Sequence, residues 1–179
     1  MKCSHISKLA DELKNKYQTA NPMEICENLG ICLLFQPMGT HENAIKGFVI
    51  GVDGVFTVTV NSDLPENIQR VIVAHELCHA LKHCSDRVTS FSDSALFDET
   101  SEMEKEANIF AAELLIDDDD ILSLCDENIG FFELASQLLV PAELLEFKFR
   151  IMKQRGINIP EPPINSHNNF LRSIKIKNG

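Results

Sequence analysis

A chain of 179 residues, 44% of them hydrophobic, is long enough for one compact domain with a real core and a small appendage. Its formal charge of −11 argues against bulk affinity for nucleic acid, which depends on clustered Lys and Arg, and favours a basic or neutral protein partner. No stretch approaches the about 20 consecutive apolar residues of a membrane span, and the charged opening MKCSHISKLADELKNKY is unlike a signal peptide. A soluble, cytoplasmic protein with no membrane partner is expected. The six cysteines (Cys3, Cys26, Cys32, Cys78, Cys84 and Cys125) show no tight framework and are expected as free thiols.

In chain order, Ile6, Leu9, Leu13 and Tyr17 predict an amphipathic helix over residues 5–19. A short second helix has a legible start and end. Asn21 can cap it, Pro22 suits its first position, Glu24 completes a capping-box spacing and Gly30 can stop it. The segments ICLLF, GFVIGV and VFTVTV predict three strands, the last two joined as an antiparallel hairpin by Asp53-Gly54. The GFVIGV strand is expected to leave one edge unpaired, where an extended peptide could add.

Helix resumes at Pro65, with Ser62 and Asp63 as available caps, and runs to about His83. The Ser- and Asp-rich segment 84–101 is too long for an ordinary connection and reads as a mobile cover. A helix follows over about 101–116. The carboxylates of Asp117 to Asp120 read as a solvated first turn of a short helix, in keeping with the helix dipole. FFELASQLL and PAELLEFKFRIMKQRG predict a helical pair with a tight turn at Val140, ended by Gly156, before a Pro-containing extended tail. This pair resembles a helix-turn-helix, yet Glu143 and Glu146 open its second helix and little there would read bases. A packed helical pair is expected instead.

The chemistry is concentrated in VIVAHELCHALKH, residues 71–83. On a helix of about 3.6 residues per turn, His75 and His79 share one face at a spacing that suits two ligands of one zinc ion. Glu76 is turned about 100° away, within reach of a water on the metal without being a ligand. Val71, Ile72, Val73, Ala74, Leu77, Ala80 and Leu81 make the cylinder apolar nearly all round, so three ionisable groups would be buried and would need a partner such as a divalent cation. His83 lies about 12 Å of axial rise from His75, too far to ligate the same ion, and is read as a helix-end histidine facing the last carbonyls.

A third ligand should come from the helix over 101–116. There Glu104 points with the apolar arc of Met103, Ala107, Phe110, Ala111, Leu114 and Leu115, whereas Glu106 and Glu113 fall on the polar side. Ser101-x-x-Glu104 is also a capping-box spacing, the competing role for that carboxylate. Asn108, one turn on, can orient a ligating histidine.

The helix 71–83 together with EKEANIFAAELL (104–115) and the upstream NPMEICENLGI resembles the ImmA/IrrE family of zinc metallo-endopeptidases, over about residues 20–120. That family's pattern is H-E-L-G-H followed by E-x-x-A-N/D-x-F-A-x-x-L-L. The resemblance implies zinc on His75, His79 and Glu104, Glu76 as general base, and an endopeptidase of the gluzincin kind. It also implies a context in mobile elements or prophages, with a helix-turn-helix repressor as protein partner, either cleaved or relieved by binding alone. Cys78 stands where the family has Gly, and Asp117 where it often has Pro. Peptide deformylase, also an H-E-x-x-H protein, is the minor alternative, with Cys32 as its third ligand; its glycine-rich and E-G-C-L signatures are absent. No oxyanion-stabilising residue is identified, since Tyr17 is the sole tyrosine and neither His83 nor Arg87 is placed by these arguments.

The expected architecture is α+β: a small three-stranded antiparallel or mixed sheet packed on a zincin-like catalytic helix, with additional helices and a C-terminal helical pair. Residues 1–127 would form the metallopeptidase-like domain, 128–156 the pair packed on it and 157–179 the tail.

Overall fold

The protein is described from a computed structural model covering residues 3–84, 89–93, 97, 101–125 and 129–159. Arg87, most of the expected cover and the tail beyond Ile159 lie outside the described residues. The fold is α+β. Among the described residues, seven helices, α1 (Cys3–Tyr17), α2 (Pro22–Asn28), α3 (Glu66–Cys78), α4 (Glu102–Leu115), α5 (Asp118–Cys125), α6 (Phe131–Gln137) and α7 (Ala142–Gln154), accompany a mixed sheet of β1 (Cys32–Gln36), β2 (Gly47–Val52), β3 (Val55–Asn61) and β4 (Thr89–Asp93). No helix among the described residues is long and apolar enough to cross a membrane.

The three expected strands are present, and β4 joins them from within the expected cover. Strand order is β1-β3-β2-β4. β1 runs parallel to β3, and β2 pairs antiparallel with both β3 and β4. β2 is therefore an inner strand, and the expectation that its edge is open to a peptide is corrected: Gly47 to Gly51 already face Asp93 to Thr89. The β2–β3 turn follows the sequence closely, with Asp53 (φ 51°) and Gly54 (φ 80°) both left-handed, the backbone that matches the right-handed twist of a hairpin.

Local chemistry sets the helix ends. Asn21 accepts from the Met23 N–H at 3.1 Å and donates to Glu24 at 3.1 Å, while Gly30 (φ 71°) closes α2. At α3 the expected caps do other work. Asp63 accepts from the Gly39 N–H at 2.7 Å, Pro65 occupies the cap position, and buried Asn61 ties the turn to Met38, Gly39 and Ile45.

α3 is the centre of the core. Ile72, Val73, Ala74, Leu77 and Cys78 are buried against the sheet and α4, and α1 packs on another face of α4. Cys26, Cys32, Cys78 and Cys84 are free thiols. Burial pushes the Cys26 thiol up to about 12 and raises Cys78 further, so both stay protonated at neutral pH.

A buried ionic cluster joins α1, α4, α5 and α7. Glu113, assigned to the polar side of α4 by helical phase, is only 2% exposed, because α1 and α7 cover that side. Its carboxylate accepts from Ser7 Oγ at 2.8 Å, pairs with Lys148 Nζ at 2.8 Å and contacts Arg155. Lys148, itself 2% exposed, also meets Asp118 at 2.7 Å, and Lys14 meets Asp117 at 2.9 Å. Of the acidic first turn of α5, then, Asp117 and Asp118 are ion-paired, and Asp119 and Asp120 face solvent.

Lys148→Ala leaves Glu113 with only Arg155 as cationic partner and is expected to cost about 3 kcal/mol in urea unfolding, the low end for breaking a buried pair. A Glu113→Leu/Lys148→Met double variant should cost less than that single change. Burial opposes the Asp118 charge, but Lys148 and Arg155 outweigh it and hold this carboxyl below its ordinary 3.8. A depressed folded value contributes stability that is present above 3.8 and lost as pH falls through the folded value. Asp118→Asn should therefore flatten the acid limb of the stability profile.

Candidate metal centre

α3 and α4 pack side by side and bring the candidate residues together. His75 and His79 are fully buried on one face of the helix, and Glu104, in the first turn of α4, reaches them from across the interface. The two Nε2 atoms lie 3.1 Å apart; Glu104 Oε2 is 3.1 Å from His75 Nε2 and Oε1 is 3.4 Å from His79 Nε2. These three side chains form a group that could hold a metal ion. The fit is geometric as well as chemical, since a tetrahedral ion with ligands at about 2.0–2.1 Å separates its ligand atoms by about 3.3 Å.

Glu104 divides its contacts between the helix cap and the histidines. Its backbone N–H donates to Ser101 Oγ at 3.1 Å, while its carboxylate turns to the histidines. Burial works against the Glu104 charge, yet the hydrogen bonds and charge of His75 and His79 outweigh it and hold the carboxyl far below its usual range. Burial pushes the His79 imidazole down; Glu104 offsets part of this, and His75 and His83 add to the fall. A lowered His79 is neutral at pH 7, the form in which a ring nitrogen offers a lone pair to a metal.

Asn108 is 0% exposed and its Oδ1 stands 3.1 Å from His75 Nδ1, as its place one turn beyond Glu104 predicts. An oxygen there accepts the Nδ1 proton and leaves the Nε2 lone pair facing inward. The end of the helix departs from the sequence reading. From His79 to His83 the backbone widens into a π-helical turn, closed by the Cys84 N–H on the His79 carbonyl at 2.9 Å. The His83 ring faces side chains on both nitrogens, His79 Nδ1 at 2.8 Å and Glu106 Oε2 at 3.1 Å, which corrects its assignment to terminal carbonyls. Neither His83 nor Glu106 was singled out for this role, because the phase of an ideal helix does not anticipate a π turn.

Cys32 is not in the group. It is exposed on β1, separated from β2 by β3, and lends nothing to a Cys-ligated site.

The residue profile of the IrrE N-terminal-like domain, a peptidase family, matches residues 26–150. The chain belongs to this family. A protein from Bacillus phage phi105, the uncharacterized immunity region protein 2, is 29% identical over 143 residues, covering 80% of this chain and 88% of that relative. Membership in the ImmA/IrrE family supports a metallopeptidase-type function, and the matched span takes in both α3 and α4.

Glu76, 1% exposed, lies beside Gly47 of β2, a neighbour that the sequence marks only as a glycine inside a strand. A Cβ on Gly47 would stand 2.4 Å from Ile72 Cγ2 and 3.3 Å from Glu76 Oε1. The absent side chain is what lets α3 approach the sheet this closely. Gly47→Ala is expected to cost about 1–3 kcal/mol in thermal unfolding, because Ile72 branches at Cβ and cannot swing aside. Ile72→Ala should cost less in that background than in the parent, a coupling that a double-mutant cycle measures.

Proposed function

We propose that the protein is a zinc-dependent endopeptidase of the gluzincin kind, with His75, His79 and Glu104 as metal ligands and Glu76 as general base. Its substrate would be a regulatory protein, a helix-turn-helix repressor of a mobile element. The observation that carries the reading is the convergence of two buried imidazoles and a carboxylate at about tetrahedral edge lengths, one residue from a buried glutamate, in a peptidase family. The donor set of two nitrogens and one oxygen supports zinc.

Zinc held there supplies Lewis-acid polarisation of a scissile carbonyl and acidifies water in its open position. The chain's own residues do the remainder. Asn108 holds the His75 ring with Nε2 inward. Glu76 accepts the proton of the attacking water and returns it to the leaving amine nitrogen. The apolar walls of α3 keep bulk water from these groups and strengthen each charge.

The repressor partner is supported by the phage relative, whose name places it in an immunity region. Direct nucleic-acid binding by the C-terminal helices is disfavoured. Lys148 and Arg155 are engaged by Glu113 and Asp118, and Arg150 lies over the Phe147 ring at 4.2 Å. The second reading, an antirepressor that acts by binding, draws on the same relative and differs in needing no hydrolysis. With this site go the working boundaries of a metallopeptidase-like unit over 1–127 and an appended helical pair over 128–156, and a cytoplasmic place of action.

Metal analysis is expected to find about one zinc per chain, lost in His75→Ala and reduced in Glu104→Ala. Glu76→Gln should keep zinc and fold while hydrolysis of a repressor substrate, followed by intact mass, falls by about 10² or more. Relief of repression that survives Glu76→Gln undiminished would reject proteolysis as the physiological role in favour of binding.

A further inference from the structure

Three imidazoles stand in a column along the end of the catalytic helix. The His75 and His79 ring centroids are 4.8 Å apart and those of His79 and His83 are 4.9 Å apart. The metal reading uses the first two. The third is held from both sides: His83 Nδ1 is 2.8 Å from His79 Nδ1, and His83 Nε2 is 3.1 Å from Glu106 Oε2. Two nitrogens at 2.8 Å share one proton, because two facing lone pairs would repel and two facing N–H groups would clash.

We infer that Glu106, His83 and His79 form a directed hydrogen-bond chain that presents the His79 Nε2 lone pair to the metal, with His83 and Glu106 as positioning residues. The inference rests on the zinc reading above. Its direction follows from proton placement. If Nε2 of His79 is to ligate, the ring proton sits on Nδ1 and donates to His83 Nδ1. His83 then carries its own proton on Nε2, which points at the Glu106 carboxylate. Each proton in the column has one acceptor, and the chain ends on a charge that stabilises it. On the other ligand, Asn108 Oδ1 plays the equivalent part for His75, 3.1 Å from its Nδ1.

The π-helical turn is the second, independent observation. An α-helical His79–His83 step leaves the two rings about 40° out of line, whereas the wider turn, closed by Cys84 N–H on the His79 carbonyl at 2.9 Å, changes that phase and brings Nδ1 to Nδ1. Such turns are less stable than the α-helix they interrupt and persist where the surroundings hold them. Glu106 is placed to do so by α4, two residues after Glu104. One helix thus brings the Glu104 carboxylate to His75 and, from a position about 200° further round its axis, the Glu106 carboxylate to the end of the chain.

The test is the zinc-loaded full chain with ¹⁵N-labelled histidine. A proton on His79 Nδ1, slow to exchange with solvent and coupled through the hydrogen bond to His83 Nδ1, is expected in the parent; in His83→Ala the proton stays on Nδ1 but exchanges rapidly with solvent. Zinc affinity, read by competition with a chromophoric chelator, should fall about 10- to 100-fold in His83→Ala and in the same direction in Glu106→Ala. His83→Gln, whose carbonyl can accept from Nδ1–H and whose amide can donate to Glu106, should recover most of that loss. Zinc-binding parent and His83→Ala proteins that differ by less than about twofold would overturn the chain, as would a His79 proton on Nε2 in the loaded parent. A parent that takes up no zinc would defeat the metal reading separately. The same coupling on metal-free protein would then still show whether the two Nδ1 atoms share a proton, and its absence would overturn the chain as well.

Discussion

The structure turns on one electrostatic constraint: two buried imidazole nitrogens and the two oxygens of one carboxylate, in contact at 3.1–3.4 Å, need a cation or proton shared among them. Three lone-pair donors aimed at one point repel. Their convergence requires α3 and α4 to lie side by side at a fixed height, and that in turn requires the apolar faces of both helices to be sealed. Phe110, Ala111 and Leu114 on α4, Val73 and Leu77 on α3 and Ala80 in the π-helical turn that follows supply the seal. Hydrophobic burial holds together groups that would otherwise separate, so packing and chemistry here are two aspects of one interface.

A sheet beneath the site serves the same end. β2 is an inner strand, paired on both sides, and its backbone cannot shift without disturbing β3 and β4. Gly47 at its start removes the one side chain that would hold α3 away. The result is a helix fixed from below by the strand and from the side by α4, with Glu76 in the corner between them. A carboxylate proposed to take and return a proton within a short reach benefits from this lack of play.

The site was legible in the sequence where its signal was local and periodic. His75, Glu76 and His79 are readable from helical spacing, Glu104 from the phase of α4 and Asn108 from its position one turn later. Asn21, Pro22 and Gly30 around α2, and Asp53-Gly54, were readable because a capping oxygen or a left-handed backbone leaves its mark on residue type. What escaped is what depends on elements far apart in sequence. Glu113 sits on the polar arc of α4 considered alone and is buried only because α1 and α7 arrive over it. β4 lies in a Ser-rich stretch with little strand propensity and exists by pairing with β2. His83 lies too far along an ideal helix from His75 to share an ion with it, and its contact with His79 needs a backbone widening that no helical wheel contains.

The two carboxylates of α4 that matter most, Glu104 and Glu113, are nine residues apart on one uninterrupted helix, about 14 Å along its axis. One faces the imidazoles of His75 and His79 and the other is gripped by Lys148 and Arg155 of the C-terminal helix region. α4 is therefore a strut with chemistry at one end and an ionic handle at the other. A protein that pulled on α7 would load the same rigid rod that carries Glu104, and the candidate metal centre would register that grip mechanically, without being touched.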